Sequence, residues 1–187
     1  ADTKPAFLKD KKVILQESFN EAYKSIAEGG WVGISGDIKY GGLGLPLIVT
    51  TCVNELLSSA CLSLALNPLM TQGQIDALES HANEDIKNIF LPKLNSGEWS
   101  GTMNLTEPQA GSDVGALRTL AFKDNDGTYK ITGQKIYISW GDHSLSSNIC
   151  HLLLARLPNS PKGTKGISLF LVPKYIPDQN GNINEVN

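Results

Sequence analysis

Two hydrophobic periods run along this chain, and the change from one to the other divides it. From Val13 to Glu28 the apolar residues Val13, Ile14, Phe19, Ala22, Tyr23, Ile26 and Ala27 recur at helical spacing. This predicts one amphipathic helix, stopped by Gly29-Gly30. Trp31 to Leu45 has no regular period, and its Tyr40-Gly41-Gly42-Leu43-Gly44 cluster predicts a loop whose backbone turns tightly or lies close to something. Pro46 suits the first turn of a long helix reaching about Leu66, with Val49, Val53, Leu56, Ala60 and Leu64 as its apolar stripe. Two shorter helices follow, over roughly Thr71 to His81 and Glu84 to Leu94, the second with Asn83 as N-cap and Gly97 near its end. Residues 1–98 therefore read as an all-α domain.

Past Gly97 the pattern changes to short runs rich in Thr, Ile, Tyr and Val, punctuated by Asp126-Gly127, Thr132-Gly133 and Gly141-Asp142. These are strand and turn signals. Ile149 to Ala155 and Ile167 to Val172 are near-continuous apolar runs, as expected of strands covered on both faces. Residues 99–187 thus read as a β domain, an antiparallel barrel-like or sandwich sheet, which makes the whole α+β. The polar run from Pro177 to Asn187 has no closing element and reads as a tail or as a cut through a larger protein.

Composition narrows the function classes. A 187-residue chain that is 41% hydrophobic can bury a genuine core. Net charge of -3, with Lys and Arg scattered singly, offers no basic stripe for nucleic acid. Cys52, Cys61 and Cys150 are odd in number and lack metal-ligand spacing, so neither a disulfide framework nor a zinc site is expected. Reduced thiols, and a polar start from Ala1 to Lys12 without a signal peptide, point to the cytoplasm. The longest apolar stretch, Leu45 to Leu66, is interrupted by Thr50, Thr51, Asn54, Glu55, Ser58 and Ser59, and reads as a buried helix with no membrane span. Asn104-Leu105-Thr106 fits the glycosylation pattern by coincidence only.

Candidate chemistry centres on MNLTEPQAGSDVG, residues 103–115. Thr106 and Ser112 offer hydroxyls, and amides around Gly111 can form an anion-binding concavity or a simple Asx-type turn. Glu107 and Asp113, six residues apart across a Pro and a Gly turn, have no enforced common face for acid-base work. Lys135 to Trp140 alternates, which predicts Tyr137 and Ser139 on one face of a strand. That face is either a surface for a planar heterocycle or a half-exposed strand. His81 near the end of a helix, His143 in a Gly-Asp-His turn and His151 within an apolar strand are expected to have no catalytic nucleophile set against them, and no GxSxG, P-loop or GxGxxG appears.

Taken in order, GWVGI, YGGLGLP, LPKLNSGEWSGTMNLTEP, GSDVG, GQKIYISWGDH and GISLFLVPK resemble the acyl-CoA dehydrogenase family of flavoenzymes, over nearly the whole chain, and its larger WGDH-bearing branch in particular. The resemblance implies FAD held non-covalently in the β domain. It implies flavin contacts from Leu105 and Thr106, with Gly111 and Ser112 at the pyrophosphate and Ser112 also at the CoA-thioester region. Tyr137 stands where the family commonly stacks Trp on the flavin, Ser139 where it commonly has Thr, and Ile138 between them joins the cofactor contacts. Met103, at the start of the motif, replaces a frequent aromatic.

The implied reaction is α,β-dehydrogenation of an acyl-CoA thioester. Electron-transferring flavoprotein is the implied acceptor, and a homo-oligomer the implied full-length assembly. The family's Glu base lies in a C-terminal four-helix domain that nothing here resembles. The chain is therefore expected to be a fragment, short of its first helices and incomplete in its β domain, with no catalytic residue of its own, weak FAD binding and no turnover. Glu107 is expected to be structural. An acyl-CoA oxidase, or a scaffold without a base, would share these motifs.

Overall fold

In the computed structural model, which describes residues 3–183, helices precede a five-stranded sheet. The chain opens with a hairpin, β1 (Phe7–Lys9) against β2 (Lys12–Ile14). Asp10 and Lys11 both take positive φ, 49° and 61°, the geometry of a two-residue turn that matches strand twist. Val13 and Ile14 thus belong to a strand, contrary to the helical reading. Being β-branched, they suit the pleat.

α1 is correspondingly shorter, Glu17–Glu28, and buries Tyr23 and Ile26. Its stop is a Schellman motif: Gly30 at φ 76° donates to Ala27 O, and Trp31 N–H reaches Ile26 O. The glycine loop does lie against something. A Cβ on Gly36 would strike the Asn95 side chain at 2.1 Å, and one on Gly42 would strike the Gly36 carbonyl at 2.1 Å. Asn95 Nδ2 donates to Tyr40 O from within that contact.

The two helices expected between Pro46 and His81 are one bent element, α2 (Leu47–His81), broken at Cys61 (φ -159°, ψ 94°). The reading of its first part as buried does not hold. Leu47 and Leu56 are 75% and 71% exposed, with Ile48 and Leu62 similarly bare. By length and composition α2 could cross a membrane, and 11% of its most apolar stretch is buried. Its second half is a polar-lined core element instead, burying Asn67, Thr71 and Gln74 beside Leu64, Ile75 and Leu78. α3 (Glu84–Asn95) starts where the sequence placed it, with Asn83 Oδ1 accepting from Ile86 N–H at 2.9 Å.

β3 (Trp99–Asn104), β4 (Leu120–Lys123), β5 (Tyr129–Thr132), β6 (Asn148–Arg156) and β7 (Ile167–Pro173) form the sheet. Hairpin pairing joins β4 to β5 and β6 to β7. The sheet is mixed rather than wholly antiparallel. β3 and β4 both run parallel to β6, pairing Asn148–Leu153 and Arg156 respectively, while β7 takes the opposite edge. Parallel pairing needs long crossovers, and residues 105–147 supply them. The expected strand over residues 135–140 is absent, because Tyr137 (φ 56°) and Trp140 (φ 55°) break the extended backbone.

The main core packs Ile75, Leu78, Phe90, Leu91 and Leu94 of α2 and α3 on Trp99 and Cys150 of the sheet. Phe90 meets Trp99 edge-on at 5.4 Å, a geometry worth about 1 kcal/mol beyond burial. The helices are thereby seated on β3, whose C-terminal end carries the candidate site. The polar terminal run expected from Pro177 extends into residues 184–187, outside the described residues.

Candidate functional site at the end of β3

β3 leaves the sheet at Met103 and Asn104, and the segment after β5 folds back on it. Ile136 N–H donates to Thr106 O at 2.9 Å, Thr102 Oγ1 donates to Ser139 O at 2.7 Å, and Lys135 Nζ reaches Leu105 O at 3.0 Å. These bonds set Leu105 and Thr106 beside Tyr137, Ile138 and Ser139. Met103 and Ile138 are half-buried, Ser139 is exposed, and Tyr137 is 90% exposed. The shared-face argument from alternation therefore fails, since there is no strand, yet the two residues still arrive at the end of β3. Gly111 and Ser112 lie on the following turn, both exposed, with open space where a Gly111 Cβ would stand.

Glu107 holds this junction together. Its carboxylate, 3% exposed, accepts from Thr119 Oγ1 (2.6 Å), Thr119 N–H (3.1 Å), Arg118 N–H (2.6 Å), Gln109 Nε2 (2.7 Å) and Lys135 Nζ (2.9 Å). Burial alone would raise its pKa, but those donors outweigh it and hold the group down at about 2. A carboxylate so acidic and so fully bonded is a poor base, whereas Asp113 points to solvent. The acid pair considered from sequence is not a pair.

Arg156, at the end of β6, is a second clamp. Its guanidinium donates to the carbonyls of Leu117 (2.9 Å), Gly115, Gly163 (2.8 Å) and Pro161 (2.9 Å). It ties the turn after Ser112 to the turn before β7. Both clamps converge on residues 117–119, because Arg156 N–H also bonds Thr119 O.

His143 does have a hydroxyl beside it, which sequence reading missed: Ser100 Oγ lies 3.0 Å from Nε2. The pair is not a catalytic dyad. Leu145 N–H donates to Nδ1 at 3.1 Å, so the neutral ring carries its proton on Nε2 and cannot take one from Ser100. Desolvation holds the ring neutral, with its pKa near 4. Because this folded value lies below the unfolded 6.5, the stabilisation is complete above about pH 6.5 and is lost as pH falls toward 4. Urea unfolding should show wild type losing about 2 kcal/mol between pH 7 and 5 through this group. His143→Gln, with nothing to titrate there, should lack that loss.

The sequence profiles of known families now match this architecture. The profile of the acyl-CoA dehydrogenase N-terminal domain matches residues 9–98, and that of the middle domain matches residues 102–183. The chain belongs to the acyl-CoA dehydrogenase family. It is 46% identical over 186 residues to 3-methylmercaptopropionyl-CoA dehydrogenase of Ruegeria pomeroyi, and spans all of itself but 32% of that relative's length. Butyryl-CoA dehydrogenase from Megasphaera elsdenii superposes with a TM-score of 0.74 at 27% identity, over 86% of this chain and 41% of that one. An acyl-CoA dehydrogenase from Bacillus anthracis, solved complexed with FAD, gives 0.70 at 26% identity, over 84% and 26%.

Within this family frame, the structure brings together Leu105, Thr106, Tyr137, Ile138 and Ser139, and sets Gly111 and Ser112 on the adjoining turn. What sequence reading missed are the supports: Lys135, Arg156, Ser100 and His143. A Lys directly before an alternating run, and an Arg closing an apolar run, were the available signals. Neither names its partner.

Proposed function

We propose that this chain is the helical and β portion of an FAD-dependent acyl-CoA dehydrogenase, acting in the reducing cytoplasm. When bound, FAD supplies the two-electron acceptor for converting an acyl-CoA thioester to the trans-2-enoyl-CoA. The observation that carries this reading is the seating of an exposed aromatic, Tyr137, and an exposed hydroxyl, Ser139, at the end of β3 near Leu105 and Thr106, through the Ile136 N–H bond to Thr106 O and the Thr102 Oγ1 bond to Ser139 O. An aromatic held out at positive φ costs free energy that packing within the described residues does not return. A planar ligand would cover it.

The residues present fit the cofactor. Tyr137 offers a ring face, Thr106 and Ser139 offer hydroxyl donors, and the open backbone at Gly111 with Ser112 suits a pyrophosphate and the CoA-thioester region. Met103 and Ile138 supply apolar contact. The base is assigned to no residue here, since Glu107 is saturated with donors; a Glu from a further helical domain fills that role in this proposal. Electron-transferring flavoprotein is the proposed acceptor and a homo-oligomer the proposed assembly.

The test is the visible spectrum of the full-length gene product, purified without added cofactor and titrated anaerobically with a panel of acyl-CoA thioesters. Flavin bands that bleach with one thioester class support the dehydrogenase, and residues 1–187 alone should give no bleaching. Rapid recovery of colour in air would favour an oxidase. A protein that stays colourless after reconstitution with FAD would overturn the flavin reading and leave a scaffold.

A further inference from the structure

The segment bearing Tyr137 and Ser139 turns through Trp140 and Gly141 into His143, and there it is fastened to two other elements. Leu145 N–H donates to His143 Nδ1 at 3.1 Å. His143 Nε2–H then donates to Ser100 Oγ of β3 at 3.0 Å, Ser100 to Ser146 Oγ at 2.9 Å, and Ser146 to Asn148 O at 2.8 Å. The sense of donation runs one way from end to end, because the final acceptor is a carbonyl and the first donor a backbone amide.

From α2, the amide of Asn67 lies 3.3 Å from Nε2. With its oxygen turned to the ring it accepts from the same proton; its Oδ1 otherwise has no partner among the described residues. Trp140 covers the imidazole edge-on at 5.4 Å and is itself pinned through Nε1–H to Ser63 O, at the bend of α2.

We propose that His143 is a positioning residue: its neutral ring latches residues 137–146 onto β3 and α2, and so sets where Tyr137 and Ser139 stand relative to Leu105 and Thr106. Its effect on flavin binding rests on the reading above that those residues face the cofactor. The latch itself does not. A proton added at Nδ1 would face the Leu145 N–H, donor against donor, so acid releases the latch. The charged groups facing the ring are Asp142 on its own segment, Lys174 beyond β7 and His151 on β6. Asp142 is already paired with Lys174, and α2 and β3 present only the neutral Asn67 and Ser100.

Hydrogen exchange by mass spectrometry on the full-length protein, with and without FAD, tests this through His143→Phe, His143→Asn and Ser100→Ala. Phe keeps bulk and the edge contact to Trp140 but none of the bonds, whereas Asn places an oxygen near the former Nδ1 and keeps an acceptor for Leu145. Loss of these bonds in His143→Phe should speed exchange of amides 137–146 roughly tenfold at pH 7, and weaken FAD binding by about the same factor. His143→Asn, which keeps the Leu145 bond but loses the Nε2 donor to Ser100, should recover only part of either, and Ser100→Ala should loosen the same segment to a smaller extent than His143→Phe. After correction for intrinsic rates, wild type should loosen there toward pH 5 and His143→Asn should not.

Unchanged exchange over 137–146 in both His143→Phe and Ser100→Ala overturns the latch. So does an equal rise across β6 and β7, the mark of a general core defect. A loosened segment with undiminished FAD affinity leaves the latch standing and removes the flavin-facing role of Tyr137 and Ser139.

Discussion

Glu107→Ala is expected to destabilise the protein by about 3–5 kcal/mol, the cost of leaving a buried charge unpaired, and to abolish retention of flavin. The magnitude follows from Lys135, whose side chain is 7% exposed and whose ammonium, among the described residues, keeps only Leu105 O once the carboxylate is gone. Thr119 Oγ1 and the amides of Arg118 and Thr119 lose their acceptor at the same time. Flavin retention should fall because those donors span three segments, residues 105–110, 117–119 and 135, which surround the proposed cofactor face.

Chemical denaturation monitored by circular dichroism gives the stability, and the flavin absorbance remaining after gel filtration gives the retention. The double variant Glu107→Gln/Lys135→Met should be distinctly less damaged than Glu107→Ala, since no charge is left stranded. Equal damage in both would show that the shape of the clamp matters and its charge balance does not. The Glu107 contribution is also acid-sensitive. Its folded pKa of about 2 lies below the ordinary 4.5, so it is present above pH 4.5 and lost between there and pH 2. That window lies below most of the one set by His143.

Arg156→Ala is expected to cost about 3 kcal/mol, because charge-assisted bonds to four backbone carbonyls in two separate turns disappear together. Arg156→Lys should recover less than half of that. An ammonium is a point donor and cannot span Leu117, Gly115, Gly163 and Pro161 as a planar fork does. Denaturant midpoints of the two variants check the order. Lys performing as well as Arg would mean that the positive charge alone holds the turns. Limited proteolysis should then locate the weakness: cleavage in the Arg156→Ala protein is expected first near residues 111–117 and 161–163, the two turns that the guanidinium joins.

The sequence determined the features whose causes lie within a few residues. Asn83 caps α3 because its own side chain reaches Ile86 N–H, and Gly30 ends α1 because only a residue at ease with positive φ closes that motif. The division into a helical part and a β part, the strands around residues 149–155 and 167–172, and the family motifs were legible for the same reason. Periodicity records which way each side chain faces along one element. It does not record what another element does to it.

The tertiary structure decided the rest. Lys135 to Trp140 alternates as a strand would, yet Thr106 O, Thr102 Oγ1 and the Trp140–Ser63 bond draw it into a turn with Tyr137 at positive φ. Val13 and Ile14 fit a helical stripe until pairing with Phe7 and Leu8 claims them for a hairpin. The parallel register of β3 on β6 is a choice of partner some 49 residues away, invisible to any local pattern. Glu107 with Lys135, Arg156 with its four carbonyls, and His143 with Ser100 are likewise partnerships across sequence. A buried charge or ring needs some partner to offset its desolvation, and only the folded chain selects which one.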